Sequence, residues 1–255
     1  MQPLHLQLPR LALVAGSLAL AALPLAGCDV GSIGGGSGDD ISTGDDDTGG
    51  GPDASVVDPP TPDYRVSMTP PTIDTQLATE ARYTITLDST NFTGTVDLAA
   101  TGVPDSWTAL FSPTTVTVPL DGQATAELVI SVPANAEATT ASIAVAATAS
   151  PGTRSATAAM TVTPDLTLEW VAGTGNGPHG FPTNLSVRLG THLHIRNGDN
   201  AAHRVHSDGG PGFPHQDNDM LTGQEYVVTP GDVGGYRFYC HDHGDGTGVT
   251  NLTVQ

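Results

Sequence analysis

From Tyr64 to about Pro164 apolar and polar residues alternate with a period of two, and that pattern admits strands and little else. Tyr83, Ile85 and Leu87 are interleaved with Thr84 and Thr86. Val96/Leu98, Trp107/Ala109/Phe111, Val116/Val118, Leu128/Ile130/Val132 and Ile143/Val145 repeat the theme. Successive side chains of a strand point to opposite faces, so each run offers one apolar face to a core. Gly102, Pro104, Pro113, Asp121-Gly122 and Pro133 separate the runs as turn formers. With 31 Gly and 20 Pro in 255 residues, the composition disfavours a helix-rich chain. The spacing predicts an antiparallel β-sandwich over residues 64–164.

The residues ahead of this segment read as processing and spacing elements. Arg10 precedes the apolar stretch Leu11 to Ala22, which is too short for a comfortable membrane span. The stretch ends in Leu25-Ala26-Gly27-Cys28, which resembles a bacterial lipoprotein signal. That resemblance implies cleavage after residue 27, acylation of Cys28, and an exported chain anchored by lipid to a bacterial membrane, facing the periplasm or the cell surface. Residues 29–63 hold nine Asp and nine Gly with no basic or aromatic residue. Such a segment buries too little apolar surface to offset its ordering entropy, so residues 28–63 are expected to form a disordered tether. Asp45-Asp46-Asp47 lacks the ligand spacing of a calcium loop. Within 64–164, Phe92-Thr93-Gly94-Thr95-Val96-Asp97-Leu98, Gly102-Val103-Pro104 and Phe111-Ser112-Pro113 resemble bacterial immunoglobulin-like domains of exported proteins. The resemblance implies a spacer or adhesion module, and no His or Cys falls in the segment.

Chemistry concentrates in residues 165–255. Eight of the nine His lie between His179 and His243, and Cys240 stands among them. Strands are expected at Leu166–Val171, Leu185–Arg188, His192–Asn197, His203–Ser207, Glu225–Thr229, Tyr236–Cys240 and Val249–Val254, which make a small barrel or sandwich. The chain has two Cys, and acylation of Cys28 would leave Cys240 without an intramolecular partner. An unpaired Cys in an oxidising compartment is buried, paired between chains, or bound to metal. Two segments carry the donors: Asn197 to His206, and Tyr236 to His243. A thiolate with imidazoles brought together from loops suits copper or zinc.

Leu185 to Gly190, the strand ending at Asn197, His203, the run from Gly235 to His243 and the closing strand resemble, in that order, the cupredoxin family of blue-copper proteins, near its plastocyanin, amicyanin and halocyanin branch. The resemblance spans about residues 165–255 and implies a Greek-key β-barrel or sandwich holding one copper ion. His203 and His243 match the imidazole ligands and Cys240 the thiolate. Asn197 matches the residue that pins the first-ligand loop to the Cys loop. The family's axial Met has no counterpart, because Gly248 falls at its position. The axial place is left to a backbone carbonyl such as that of Ala202, to a residue from elsewhere, or to nothing. His206, His215 and His241 are candidates for an additional or axial ligand, and His241 or Asp245 for a ligand set that is not a blue site.

His192 and His194 alternate with Leu193 and Ile195, so they should point outward together. A net charge of −19, with eight Arg and no Lys, repels phosphate backbones and excludes nucleic acid as a partner. It would instead steer a redox partner with a basic patch, such as a cytochrome. Three functions compete. A lipid-anchored one-electron carrier fits the ligand trio, and copper sequestration or delivery fits the abundance of His. A copper oxidase would need many more paired His ligands than the chain offers, so no enzyme activity is expected.

Overall fold

The computed structural model describes residues 60–171, 180–208, 210–244 and 248–255. The signal stretch, Cys28, residues 29–59 of the tether, His179 and Asp245 lie outside the described residues. The described chain is all-β, and among the described residues no helix is long and apolar enough to cross a membrane.

Residues 63–163 supply nine strands: β1 (Asp63–Thr69), β2 (Thr72–Gln76), β3 (Glu80–Thr90), β4 (Gly94–Thr101), β5 (Thr108–Ser112), β6 (Thr115–Val118), β7 (Gln123–Ser131), β8 (Thr140–Ala149) and β9 (Gly152–Thr163). They form one sheet in the order β1-β3-β7-β5 and a second in the order β2-β9-β8-β4-β6. The alternation legible in the chain sets the faces. In β3, Tyr83, Ile85 and Leu87 are buried while Thr84 is exposed, and across the ladder Tyr83 faces Leu128. Val96, Ile143, Val145 and Met160 supply the buried face of the other sheet.

Residues 165–254 supply seven more: β10 (Asp165–Trp170), β11 (Asn184–Val187), β12 (His192–Asn197), β13 (Val205–Ser207), β14 (Glu225–Val228), β15 (Gly234–Cys240) and β16 (Thr250–Val254). Their sheets run β10-β12-β14 and β11-β16-β15-β13. Leu166, Trp170, Leu193 and Ile195 from the first, and Val187, Phe238, Leu252 and Val254 from the second, are buried.

Most pairs are antiparallel, but β2 joins β9, β10 joins β12 and β11 joins β16 in parallel. Each parallel pair involves a strand at a sheet edge. No hairpin ties these edge strands to their partners, so nothing forces them antiparallel. At the β1–β2 junction Pro70-Pro71 has no N–H with which to continue the first ladder, and the chain enters the other sheet. At the β9–β10 junction the Leu77 N–H donates to the Asp165 carbonyl and the His192 N–H to the Pro164 carbonyl.

Candidate metal centre

The ends of β12, β13 and β15 bring three donors together. In the β13–β15 ladder Cys240 lies opposite Val205 and His206 opposite Tyr239. The pleat therefore turns Cys240 and Val205, both wholly buried, toward the core and His206 and Tyr239 away from it. His203 precedes β13 and is held by a reciprocal pair of backbone bonds with Met220: His203 N–H to Met220 O at 3.1 Å, Met220 N–H to His203 O at 2.7 Å. His243 closes a single 3-10 turn, His241–His243, that begins directly after Cys240.

Cys240 Sγ stands 3.5 Å from His203 Nδ1. Together with His243, one ligand atom of each residue lies within 4.8 Å of the other two. A sulfur and a nitrogen sharing a tetrahedral ion at about 2.3 and about 2.0–2.1 Å would be about 3.6 Å apart. The observed Sγ–Nδ1 separation therefore matches that of two ligands on one first-row metal ion. The donor set, one thiol and two imidazoles, is likewise one that binds such ions.

The buried imidazole is oriented from behind. His203 Nε2 lies 3.0 Å from Asp199 Oδ2, and both side chains are wholly buried. A carboxylate accepts only, so the Nε2–H donates to it, and in the neutral ring Nδ1 then presents its lone pair toward Cys240. Trp170 stacks on the His203 ring with centroids 4.9 Å apart and planes within 5°, and His203 meets His243 edge-on at 5.1 Å. Burial, and then the neighbouring His203, hold the His243 imidazole below its usual pKa, which favours the neutral ring with one nitrogen free to act as a ligand.

Asn197 is wholly buried at the end of β12. Its amide donates to the carbonyls of Ala201 at 2.7 Å and Met220 at 2.8 Å, while its Oδ1 accepts the Asp199 N–H at 2.9 Å. It thus braces the loop that carries Asp199 and His203. The tie to the Cys240 loop expected of it is made instead by the backbone, where the His241 N–H donates to the Arg204 carbonyl at 2.7 Å. Both amide hydrogens of Asn197 are already committed on its own side. Gly198 allows the close fit behind this loop: a Cβ there would fall 2.6 Å from the Trp170 carbonyl oxygen.

The other predicted residues fall elsewhere. His206, His215 and His241 are gathered with one another and not with the buried trio. Burial, and then His206 and His241, depress the His215 pKa. Gly248 stands two residues before β16 with φ 70°, a left-handed conformation suited to glycine. His192 and His194 do point away from the core, and both address one carboxylate: His192 Nδ1 lies 3.0 Å and His194 Nε2 3.3 Å from Asp165 Oδ1. Sequence reasoning missed Asp199 and Trp170. An acidic residue four positions before a ligand His, in an Asn-Gly-Asp-Asn turn, was the available signal for the first.

No protein-family model matches the chain, and no curated protein matches it. Among solved structures the chain is similar to a purple cupredoxin from Nitrosopumilus maritimus, at 23% identity and TM-score 0.30, over 36% of this chain and 100% of that one. It is similar to a Met-to-Leu variant of amicyanin at 19% identity and TM-score 0.29, over 35% of this chain and 81% of that one. The BIgI domain of the beta protein from S. agalactiae gives 18% identity and TM-score 0.26, over 40% and 97%. Likeness at these levels does not bear on ligands, and the case for a metal rests on the geometry of His203, Cys240 and His243.

Proposed function

We propose that this chain is a blue-copper electron carrier, exported and anchored to a bacterial membrane through lipid on Cys28. One observation carries the reading: a wholly buried thiol, Cys240, set 3.5 Å from His203 Nδ1 with His243 completing the group. When bound by one thiolate and two imidazoles, copper supplies a one-electron couple whose two states need nearly the same ligand positions. The residues support that requirement. Cys240 is fixed by the β15 ladder, His203 by Asp199 and the Trp170 face, and Asn197 by three hydrogen bonds that hold the intervening loop. His243 is the least buried of the three, so exchange with a partner would pass its ring edge. The acidic chain would draw a partner with a basic patch, such as a cytochrome. No catalytic step is assigned to the chain.

Copper loading of the purified chain tests the proposal. The expected result is a strong thiolate-to-copper charge-transfer band with narrow copper hyperfine splitting, bleached by mild reductant and abolished by Cys240→Ser. A pale copper(II) spectrum indifferent to that substitution would overturn it. Copper sequestration or delivery, the second reading, is favoured by the histidines beyond the trio. It predicts loss of copper on reduction, where a carrier retains the ion through repeated cycles.

A further inference from the structure

Three histidines converge on the outer face of the β13–β15 ribbon. His206 is the middle residue of β13, His241 follows Cys240 directly, and His215 enters from the stretch beyond the 3-10 turn Gly210–Gly212. Their ring centroids lie 4.6 Å (His206–His215), 5.3 Å (His215–His241) and 5.4 Å (His206–His241) apart. One ring nitrogen of each lies within 4.8 Å of the other two. His206 Nδ1 and His241 Nδ1 are 3.2 Å apart. Two imidazole nitrogens sharing a tetrahedral ion at about 2.0–2.1 Å would be about 3.3 Å apart, so this pair already stands at ligand spacing.

The surroundings of His206 point the same way. Its Nε2 lies 3.3 Å from Asp208 Oδ1, and Asp208 Oδ2 accepts a hydrogen bond from Arg237 at 2.9 Å. With a carboxylate this close to Nε2, the tautomer that carries its proton there turns the Nδ1 lone pair toward His241, an orientation common among metal-ligating histidines. The His206 ring is also stacked on Tyr239, centroids 4.7 Å apart, with the Arg237 guanidinium 5.2 Å over the same Tyr239 ring. Three imidazoles on three separate segments of chain, one of them beside an anchored carboxylate, form more than a polar surface.

We infer that His206, His215 and His241, with Asp208 beside His206, form a second metal site, taking a borderline divalent cation of the zinc or copper(II) kind through three imidazoles. An all-imidazole set suits these ions and leaves one tetrahedral position open to water or a further ligand. His215 and His241 are exposed and His206 is half-buried, so the ion exchanges with solvent without opening the fold. The site is independent of the reading of the buried trio, although Cys240 and His241 are chain neighbours.

Zinc binding to the purified full chain tests it, with bound zinc counted by metal analysis and affinity measured against a chromogenic chelator. In Cys240→Ser, which removes the buried thiol, one zinc per chain is expected to remain. Adding His215→Ala should then weaken it at least about tenfold, and Asp208→Asn by about tenfold. The ring signals of His206, His215 and His241 should shift together in NMR spectra on zinc addition. His243→Gln, at a part-exposed position, gives the same count if Cys240→Ser fails to fold. Absence of zinc from both variants, or an affinity indifferent to His215→Ala, would overturn the site. Failure of the electron-carrier reading shows separately, as a copper spectrum indifferent to Cys240→Ser.

Discussion

Asp199 is the residue on which the buried trio depends without being part of it. Its Oδ1 accepts the Asn200 N–H at 2.8 Å and its Oδ2 faces His203 Nε2. Asp199→Asn preserves the shape and the Asn200 bond but can present an amide N–H where the histidine needs an acceptor. The expected result is a 10–100-fold loss of copper affinity, by chelator competition, with far-ultraviolet circular dichroism unchanged. His203, Cys240 and His243 were legible as candidate donors because a thiol set among eight histidines, and unpaired within the chain if Cys28 is acylated, has few chemical roles besides holding a metal. Asp199 was hidden among 27 acidic residues, since only folding shows which carboxylate is wholly buried against an imidazole.

At the scale of elements, the β10–β12 pair has its own electrostatic lock. Asp165 opens β10, and His192 and His194 lie on β12, which runs parallel beside it. Glu225 on β14 approaches His194 Nδ1 at 3.5 Å from the other side. The Thr163 hydroxyl holds the Asp165 carboxyl below its ordinary value near 3.8, partial burial opposes this, and His192 and His194 add to it. A carboxyl depressed by folding contributes stability that is fully present above its unfolded pKa. That contribution is lost as pH falls from about 4 through the lower folded value. Denaturant titrations of Asp165→Asn should therefore show a shallower decline of stability below about pH 4 than the parent chain, and a lower stability at neutral pH. Strand positions were largely legible, as at β12, where the expected and observed bounds coincide at His192–Asn197. The parallel edge pairings were not, because alternation reports which face a residue takes and carries nothing about which strand lies alongside.

For the whole molecule, charge is the governing quantity. Eight basic against 27 acidic residues leave −19, which gives the chain as a whole a negative field. If the chain exchanges electrons with a cationic partner, association in stopped-flow measurements should slow markedly as ionic strength rises from about 0.01 to about 0.15 M, where the screening length falls from about 30 to about 8 Å. A rate independent of salt would remove charge steering from the proposal.

The sequence by itself determined the all-β class, the burial faces of the strands and which residues are candidate donors. These follow from local rules: period-two alternation, turn chemistry at Gly and Pro, and the small number of residue types able to bind a soft metal. Only the tertiary structure decided how the donors divide. His206, His215 and His241 read in sequence as spare ligands for one site, yet the pleat of the β13–β15 ribbon turns Cys240 inward and His206 outward. The register Val205↔Cys240 joins segments 35 residues apart. Alternation within each segment assigns the faces, but only the folded pairing shows that His206, His215 and His241 meet with one another.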